Sequence, residues 1–358
     1  MDQLIDALYA LPVLGLVFQF AGYLIAVIPP VAPTLMQSAT PIVLAALCGV
    51  MCERSGVTNI GIEGLMLTAA FVGWLAGVVL APILPADPSP FFGVTPALLI
   101  ALVLAVLASV LVSLLHAWLS ISLRADQIIS GTIINIAAAG MTAYLYTIVS
   151  ASSPAGAGNF AAFDPPGWIT QIPVVGWIFE MFLNQGPIGI SVIVIVIGFQ
   201  VWLFRSRWGL RSRAVGEHPK AAETVGIDVI RLRYKNVLYG GVLAGLAGAY
   251  MSMEATNSFQ AGMTGGRGFI GLAAMIVGRW TPIGAFGAAL LFSSTLALGQ
   301  IIGYAPPTGQ LGDTLGQVPS QFFDALPYIV TIVVLAGFVG RSIPPAADGQ
   351  PYEREAAT

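Results

Sequence analysis

Three kinds of segment hold nearly all the residue types that carry chemistry in this sequence. The first is 205–236, RSRWGLRSRAVGEHPKAAETVGIDVIRLRYKN, with eight basic and three acidic residues in a chain otherwise nearly free of charge. Inside it the sequence predicts a short helix with its own punctuation. Pro219 fits the first helical position, Gly226 fits the stop, and Ala221, Ala222 and Val225 make a small apolar face. Such a segment reads either as a solvated loop that sets membrane topology or as a helix that docks into a partner's groove. If that partner is an ATPase, nucleotide-driven closure reaches the rest of the chain through this contact.

The second kind is a pair of glycine-rich interruptions, SGVTNIGIEG at 55–64 and NSFQAGMTGGRG at 257–268. Polar breaks at matching places in two halves of a transporter point to a substrate pathway. On that reading Asn59 and Glu63 approach a common cavity from one side, and Asn257, Gln260 and Arg267 from the other. The alternative is structural: Asn59 caps the helix that follows, Glu63 favours that helix's dipole, and the glycines form turns. Arg267 needs an acid, a carbonyl or water near it, so it is expected to line an aqueous vestibule or to pair with Glu254. The third kind is DQIISGTIIN at 126–135, whose Ser130, Thr132 and Asn135 either hold neighbouring helices together or contact a solute.

Other chemistry is disfavoured. No stretch reads G-x-x-x-x-G-K-[ST], so the backbone cradle of a P-loop is missing, and the energy for any transport comes from a separate chain or an ion gradient. Ionisable groups within apolar runs are scarce, Glu63, Glu254, Arg267 and His116 being the candidates, which favours the separate chain over an ion-coupled secondary transporter. His116 reads as packed or locally hydrogen-bonded. Cys48 and Cys52 lie four apart on one apolar run and read as packing residues, neither a metal site nor a disulfide. An intramembrane enzyme is disfavoured because no cluster of His, Asp, Glu or Cys has catalytic or metal spacing.

The elements that must position these groups are membrane helices. The chain is 57% hydrophobic and 9% charged, where soluble domains carry about a quarter charged residues, and its mean hydropathy is +0.86. Apolar runs of about 20 residues recur along its length, and only helices satisfy their backbone alone in lipid. The expectation is an all-α integral membrane protein forming one transmembrane domain over 1–358. Its ten spans are expected near 8–28, 34–52, 62–80, 96–119, 128–149, 188–204, 236–256, 264–278, 283–303 and 327–340. The first run is too long and lacks the basic flank for a cleavable signal. With a cytoplasmic N-terminus, this count puts Arg54, Arg124, the eight basic residues of 205–235, Arg279, Arg341 and Arg354 inside, which is 13 of the 14 Lys and Arg. The outer connections, including 150–187 and 304–326, hold acids but no Lys or Arg, as the positive-inside rule requires. Both termini are then cytoplasmic. Ten spans divide near residue 186 into halves of five, about 1–185 and 186–358, and an odd number per half inverts the second relative to the first. Gly64-Leu65 and Gly271-Leu272 are the best sequence echo between them.

At these residues the chain resembles the permeases of bacterial ATP-binding-cassette (ABC) importers for nucleosides and simple sugars, related more distantly to branched-chain amino acid permeases. The matching segments are ERSGVTNIGIEGLML (53–67), ADQIISGTIIN (125–135), RAVGEHPKAAETVGID (213–228), GRGFIGLAAMIVGRWTPIGA (266–285) and PYIVTIVVLAG (327–337). The resemblance implies an inner-membrane importer of a small-molecule solute, with two permeases, a partner ABC ATPase that binds ATP and Mg, and an extracytoplasmic solute-binding protein. This chain would bind no cofactor and no nucleic acid. The segment 217–226 looks like the coupling helix, which would give Glu217, Pro219, Ala221, Ala222, Glu223 and Gly226 the contact with the ATPase. The nucleoside branch is the nearest match, through ERSGVTNIGIEG and ADQIISGT, with simple-sugar and branched-chain amino acid permeases as alternatives. In such systems two different permeases commonly pair. The outer stretch 150–187 and the polar insert 306–323 depart from the pattern and bear on docking of the binding protein.

Overall fold

The computed structural model describes residues 14–85, 87–150, 158–172, 175–304, 306–337 and 342–353. Among them the regular secondary structure is all helical. The chain runs through α1 (Leu14–Glu53), α2 (Ile62–Leu80), α3 (Pro96–Ala117) and α4 (Gln127–Ser150), with a π-helical turn, Trp118–Ser122, closing α3. The short helices α5 (Gly167–Thr170) and α6 (Val175–Leu183) fill part of the long connection before α7 (Pro187–Arg205). The basic segment folds as α8 (Arg207–Glu217) and α9 (Pro219–Thr224) and leads into α10 (Val229–Tyr250), which ends in a second π-helical turn, Met251–Ala255. Then come α11 (Arg267–Val277), α12 (Pro282–Tyr304), α13 (Gly309–Gly316) and α14 (Ser320–Gly337).

Local sequence explains where several helices start. Thr95 accepts the amide hydrogen of Leu98 ahead of Pro96, Ser206 that of Gly209, and Asp228 that of Arg231, each satisfying a first-turn N–H that has no partner within its helix. The core lies along the second half of α1, where Ile42, Val43, Leu44, Leu47 and Cys48 are all fully buried, and along α10. α10 carries a stripe of small residues, Gly240, Gly241, Ala244, Gly245, Ala247 and Gly248, all buried, so its neighbours approach its backbone closely. Ser109 and Ser113 of α3 use that approach and donate to the Gly241 and Val237 carbonyls at 2.8 and 2.7 Å.

Among the described residues, six helical stretches are long and apolar enough to cross a membrane: Val31–Glu53, Ile62–Leu80, Pro96–Ser122, Gln127–Ser150, Pro187–Arg205 and Pro282–Gly303. The other expected spans take different forms. α10 begins with Arg231, Arg233 and Lys235, α11 has only 11 residues, and α14 ends at Gly337, with 338–340 outside the described residues. The connection expected between the first two spans is not a loop. α1 is one helical element of 40 residues that holds both apolar stretches, Gly15–Val27 and Val31–Glu53. In an apolar environment a helix tolerates proline because neighbouring groups satisfy the freed carbonyls. Residues 1–13, Arg341 and Arg354, used above for topology, lie outside the described residues.

Candidate functional site

The two glycine-rich breaks meet. Glu63 is the second residue of α2, but its carboxylate reaches the start of α11, where it accepts the amide hydrogens of Gly266 and Gly268, each at 2.7 Å. Gly266 caps α11 at φ +80, a left-handed conformation that costs most other residues about 1–2 kcal/mol. A helix N-terminus presents unpaired N–H groups and partial positive charge, so a carboxylate is stabilised there. The dipole that Glu63 serves is thus that of α11, not only that of its own helix. Glu254, in the turn Met251–Ala255, does the same for α7 by accepting the amides of Ile188 and Gly189 at 2.8 and 2.9 Å.

Arg267, the first residue of α11, forms no ion pair with Glu254. Its Nη1 donates instead to the carbonyls of Met263 and Thr264, both at 3.3 Å. With Gln260 it borders a cavity of about 280 Å³, whose other polar walls are Thr34, Gln37 and Ser38 of α1, Tyr250 of α10, Thr256 and, in the second break, Ser258. That volume is near the lower end of small-molecule sites, roughly 300–1,000 Å³. Arg267 is the single charged side chain among the described lining residues. Hydroxyls, amides and one guanidinium suit an uncharged solute rich in hydrogen-bonding groups. Thr34, Gln37 and Ser38 are absent from the sequence-based candidates, although their i, i+3, i+4 spacing on an apolar helix places them on one face.

The other pathway candidates support the first break from behind. Asn59 is fully buried; its Oδ1 accepts the Gly61 amide at 3.0 Å, and its Nδ2 lies 3.7 Å from the Cys52 sulfur. Asn135 fastens α4 to the break by accepting the Gly64 amide at 2.8 Å and donating to the Ile60 carbonyl at 2.9 Å. Ser130 is buried and lies 3.0 Å from His116 Nδ1. His116 Nε2 is 3.1 Å from the Thr58 carbonyl, which offers only lone pairs, so this nitrogen must donate. Gln127, another buried residue outside the sequence-based candidates, accepts the Thr58 amide at 2.7 Å. Asn257 adopts φ +51 in the turn after the π-helical segment and is not among the cavity-lining residues.

In the basic segment Pro219 occupies the start of α9, and Gly226 holds φ +83 just beyond its end. The small apolar face does not form as expected. Ala222 is turned inward, 3% exposed, against Val215, Val229, Leu232 and Tyr352, whereas Ala221 and Val225 face outward. Ala222 supplies the one buried apolar contact of this six-residue helix, and Val225 lies just past its end. Glu217 accepts the Ala346 amide at 3.2 Å, and Glu223 is hydrogen-bonded to the Tyr352 hydroxyl, so both acids engage the C-terminal residues.

Comparison with known proteins gives the family. A family profile described as the permease component of branched-chain amino acid transport systems matches residues 32–335. The guanosine ABC transporter permease protein NupQ of Bacillus subtilis is 37% identical over 90% of this chain and 96% of its own length. The nucleoside ABC transporter permease protein NupC of Lactococcus lactis is 35% identical over 88% of this chain and 93% of its own. A putative glucose ABC transporter permease protein, TsgC13 of Haloferax volcanii, is 32% identical over 89% and 96%. No solved structure matches the chain. A profile covering most of the chain, relatives aligned over nearly their whole length and a set of apolar membrane-length helices together establish that this multi-pass membrane protein belongs to the ABC-transporter permease family.

Proposed function

We propose that this chain is the membrane-spanning permease subunit of an importer that carries a nucleoside into the cytoplasm by alternating access. The observation that carries the reading is the polar cavity at Arg267 and Gln260, walled by α1 and the second break beside the point where Glu63 of the first break joins α11. The guanosine and nucleoside permeases, at 37% and 35% identity, support the choice of solute. Ribose hydroxyls and base carbonyls match the hydroxyl, amide and guanidinium groups of its walls. Of the residues named from sequence, Gln260 and Arg267 contact solute in this account. Glu63 holds the cavity wall, and Asn59, Ser130, Asn135 and Asn257 shape the breaks.

The chain performs no covalent chemistry and binds no cofactor in this reading; ATP and Mg act on a separate ABC ATPase docked at α9. A second, related permease completes the membrane unit, and an extracytoplasmic binding protein delivers solute. The basic segment faces the cytoplasm, as do both termini, in a single domain of two inverted halves. On the inverted plan α2 and α11 enter from opposite sides, and their starts, joined through Glu63, meet inside the membrane. Ten crossings require α1 to bend between Val27 and Val31.

The test is ATP-driven uptake by the reconstituted transporter against a panel of nucleosides, simple sugars and branched-chain amino acids. Saturable nucleoside uptake that needs ATP supports the account. Uptake driven by a proton or sodium gradient without ATP overturns it, and sugar selectivity would move the solute to the class of the Haloferax relative.

A further inference from the structure

The residues after the last described helix, 342–353, lie against the same end of the bundle as α8 and α9. Toward those helices, the Ala347 amide donates to the Gly216 carbonyl at 2.8 Å, and the Tyr352 hydroxyl is bonded to Glu223. Tyr352 is itself buried against Ala222 of α9. Toward the first break, the Thr58 hydroxyl donates to Asp348 Oδ1 at 3.1 Å. Arg233 of α10 ties the same two parts together, donating through Nε to the Ser55 carbonyl at 3.0 Å and through Nη1 to the Gln350 carbonyl at 2.9 Å.

This segment therefore bridges α9 and the break at 55–64, the break whose Glu63 holds the start of α11 beside Arg267. α9 has six residues and one buried apolar side chain, Ala222, so little of its own packing fixes it to the core. We propose that Tyr352 and Asp348 are positioning residues for energy coupling: they hold α9 against the first break, so that movement imposed on α9 is passed to the cavity wall. The proposal rests on the reading that an ATPase docks at α9. It extends that reading by assigning the C-terminal segment a part in transmission that a merely stabilising tail would not have.

The experiment uses the complete transporter, with its ATPase, partner permease and binding protein, reconstituted in liposomes. Solute imported per ATP hydrolysed is measured for the wild type, Tyr352→Phe, Thr58→Val and a chain ended before Ser342. This ratio does not change when a variant simply yields less folded transporter, because uptake and solute-stimulated hydrolysis then fall together. The expected result is a drop in the ratio of about threefold or more in each variant, in keeping with coupling effects of residues that touch neither ligand. Retained ATPase binding and hydrolysis should accompany it. An unchanged ratio in Tyr352→Phe and Thr58→Val overturns the proposal, and these two variants decide the matter if the shortened chain does not assemble. Wild-type transporter that neither binds an ATPase nor needs ATP would instead overturn the reading of function beneath it.

Discussion

The carboxylate of Glu63 and the backbone amide of Gly268 are 2.7 Å apart although 205 positions separate them in sequence. With the matching bond to Gly266, this contact joins the starts of α2 and α11 and makes one junction of two polar breaks. Hydrogen bonds to a charged acceptor contribute about 1.5–3 kcal/mol each, more than most single contacts. The junction thus holds the cavity wall in place at Arg267 and gives an acid at the start of an apolar helix two backbone partners.

Replacing Glu63 by Gln keeps its size, removes its charge and turns an N–H toward one of the two amides. The expected cost is about 1.5–3 kcal/mol. Thermal unfolding of the purified protein in detergent should show a clear fall in Tm, with lowered uptake. An unaltered Tm would mean that α11 is held by other contacts.

Gln260 and Asn59 should separate, although both belong to the breaks. Gln260→Ala removes an exposed cavity amide and is expected to lower uptake several-fold while leaving Tm unchanged. Asn59→Ala strips a fully buried turn of its hydrogen bond to Gly61 and is expected to cost about 1–3 kcal/mol in stability. Equal stability of the two variants would contradict the division between solute-facing and supporting residues.

The sequence makes the breaks visible because glycines and amides stand out in apolar runs, and the punctuation of α9 by Pro219 and Gly226 is purely local. The junction was not legible. Glu63 bonds to backbone amides, which carry no residue-type signature, at a distance of 205 positions. Thr34, Gln37 and Ser38 did leave a signal in their helical spacing, but three small polar groups in an apolar helix are as often packing residues. The C-terminal segment, with Pro345, Gly349 and Pro351, has the composition of a loose end and is fixed by long-range bonds from Thr58 and Arg233. The continuity of α1 escaped for a different reason: prolines near residue 30 end helices in water but not necessarily within a membrane protein.

On α9 two adjacent alanines should respond differently. Ala222→Arg forces a charge into the cluster of Val215, Val229, Leu232 and Tyr352, and is expected to disorder the segment, read as faster proteolysis of the basic loop. Ala221→Arg changes only an outward face and should leave proteolysis unaltered while weakening ATPase co-purification. Normal ATPase binding by Ala221→Arg would remove α9 from the docking surface.

The C-terminal segment should be more firmly held in mild acid. Burial pushes the Asp348 carboxyl from its ordinary 3.8 up to about 6, against the lowering effects of its hydrogen bonds with Thr58, the neighbouring acid Glu53 and the Gly349 amide and of the Arg233 charge. Because the folded-state value is the higher one, the bound segment is favoured below about pH 4, and this advantage is lost as pH rises through about 6. Hydrogen exchange at the Ala347 amide, corrected for intrinsic rates, should be slower at pH 5 than at pH 7.5, and Asp348→Asn should flatten the difference. Protection that rises with pH would contradict the burial of this carboxyl.

The most direct measurement compares single cysteines placed at 260 and 59, on a background lacking Cys48 and Cys52, in the assembled transporter. A small thiol reagent should label position 260 and leave 59 untouched, and a nucleoside should protect 260 during ATP-driven uptake. Labelling at 260 that no transported nucleoside alters, or equal labelling at 59, would contradict a solute site at the junction of the two breaks.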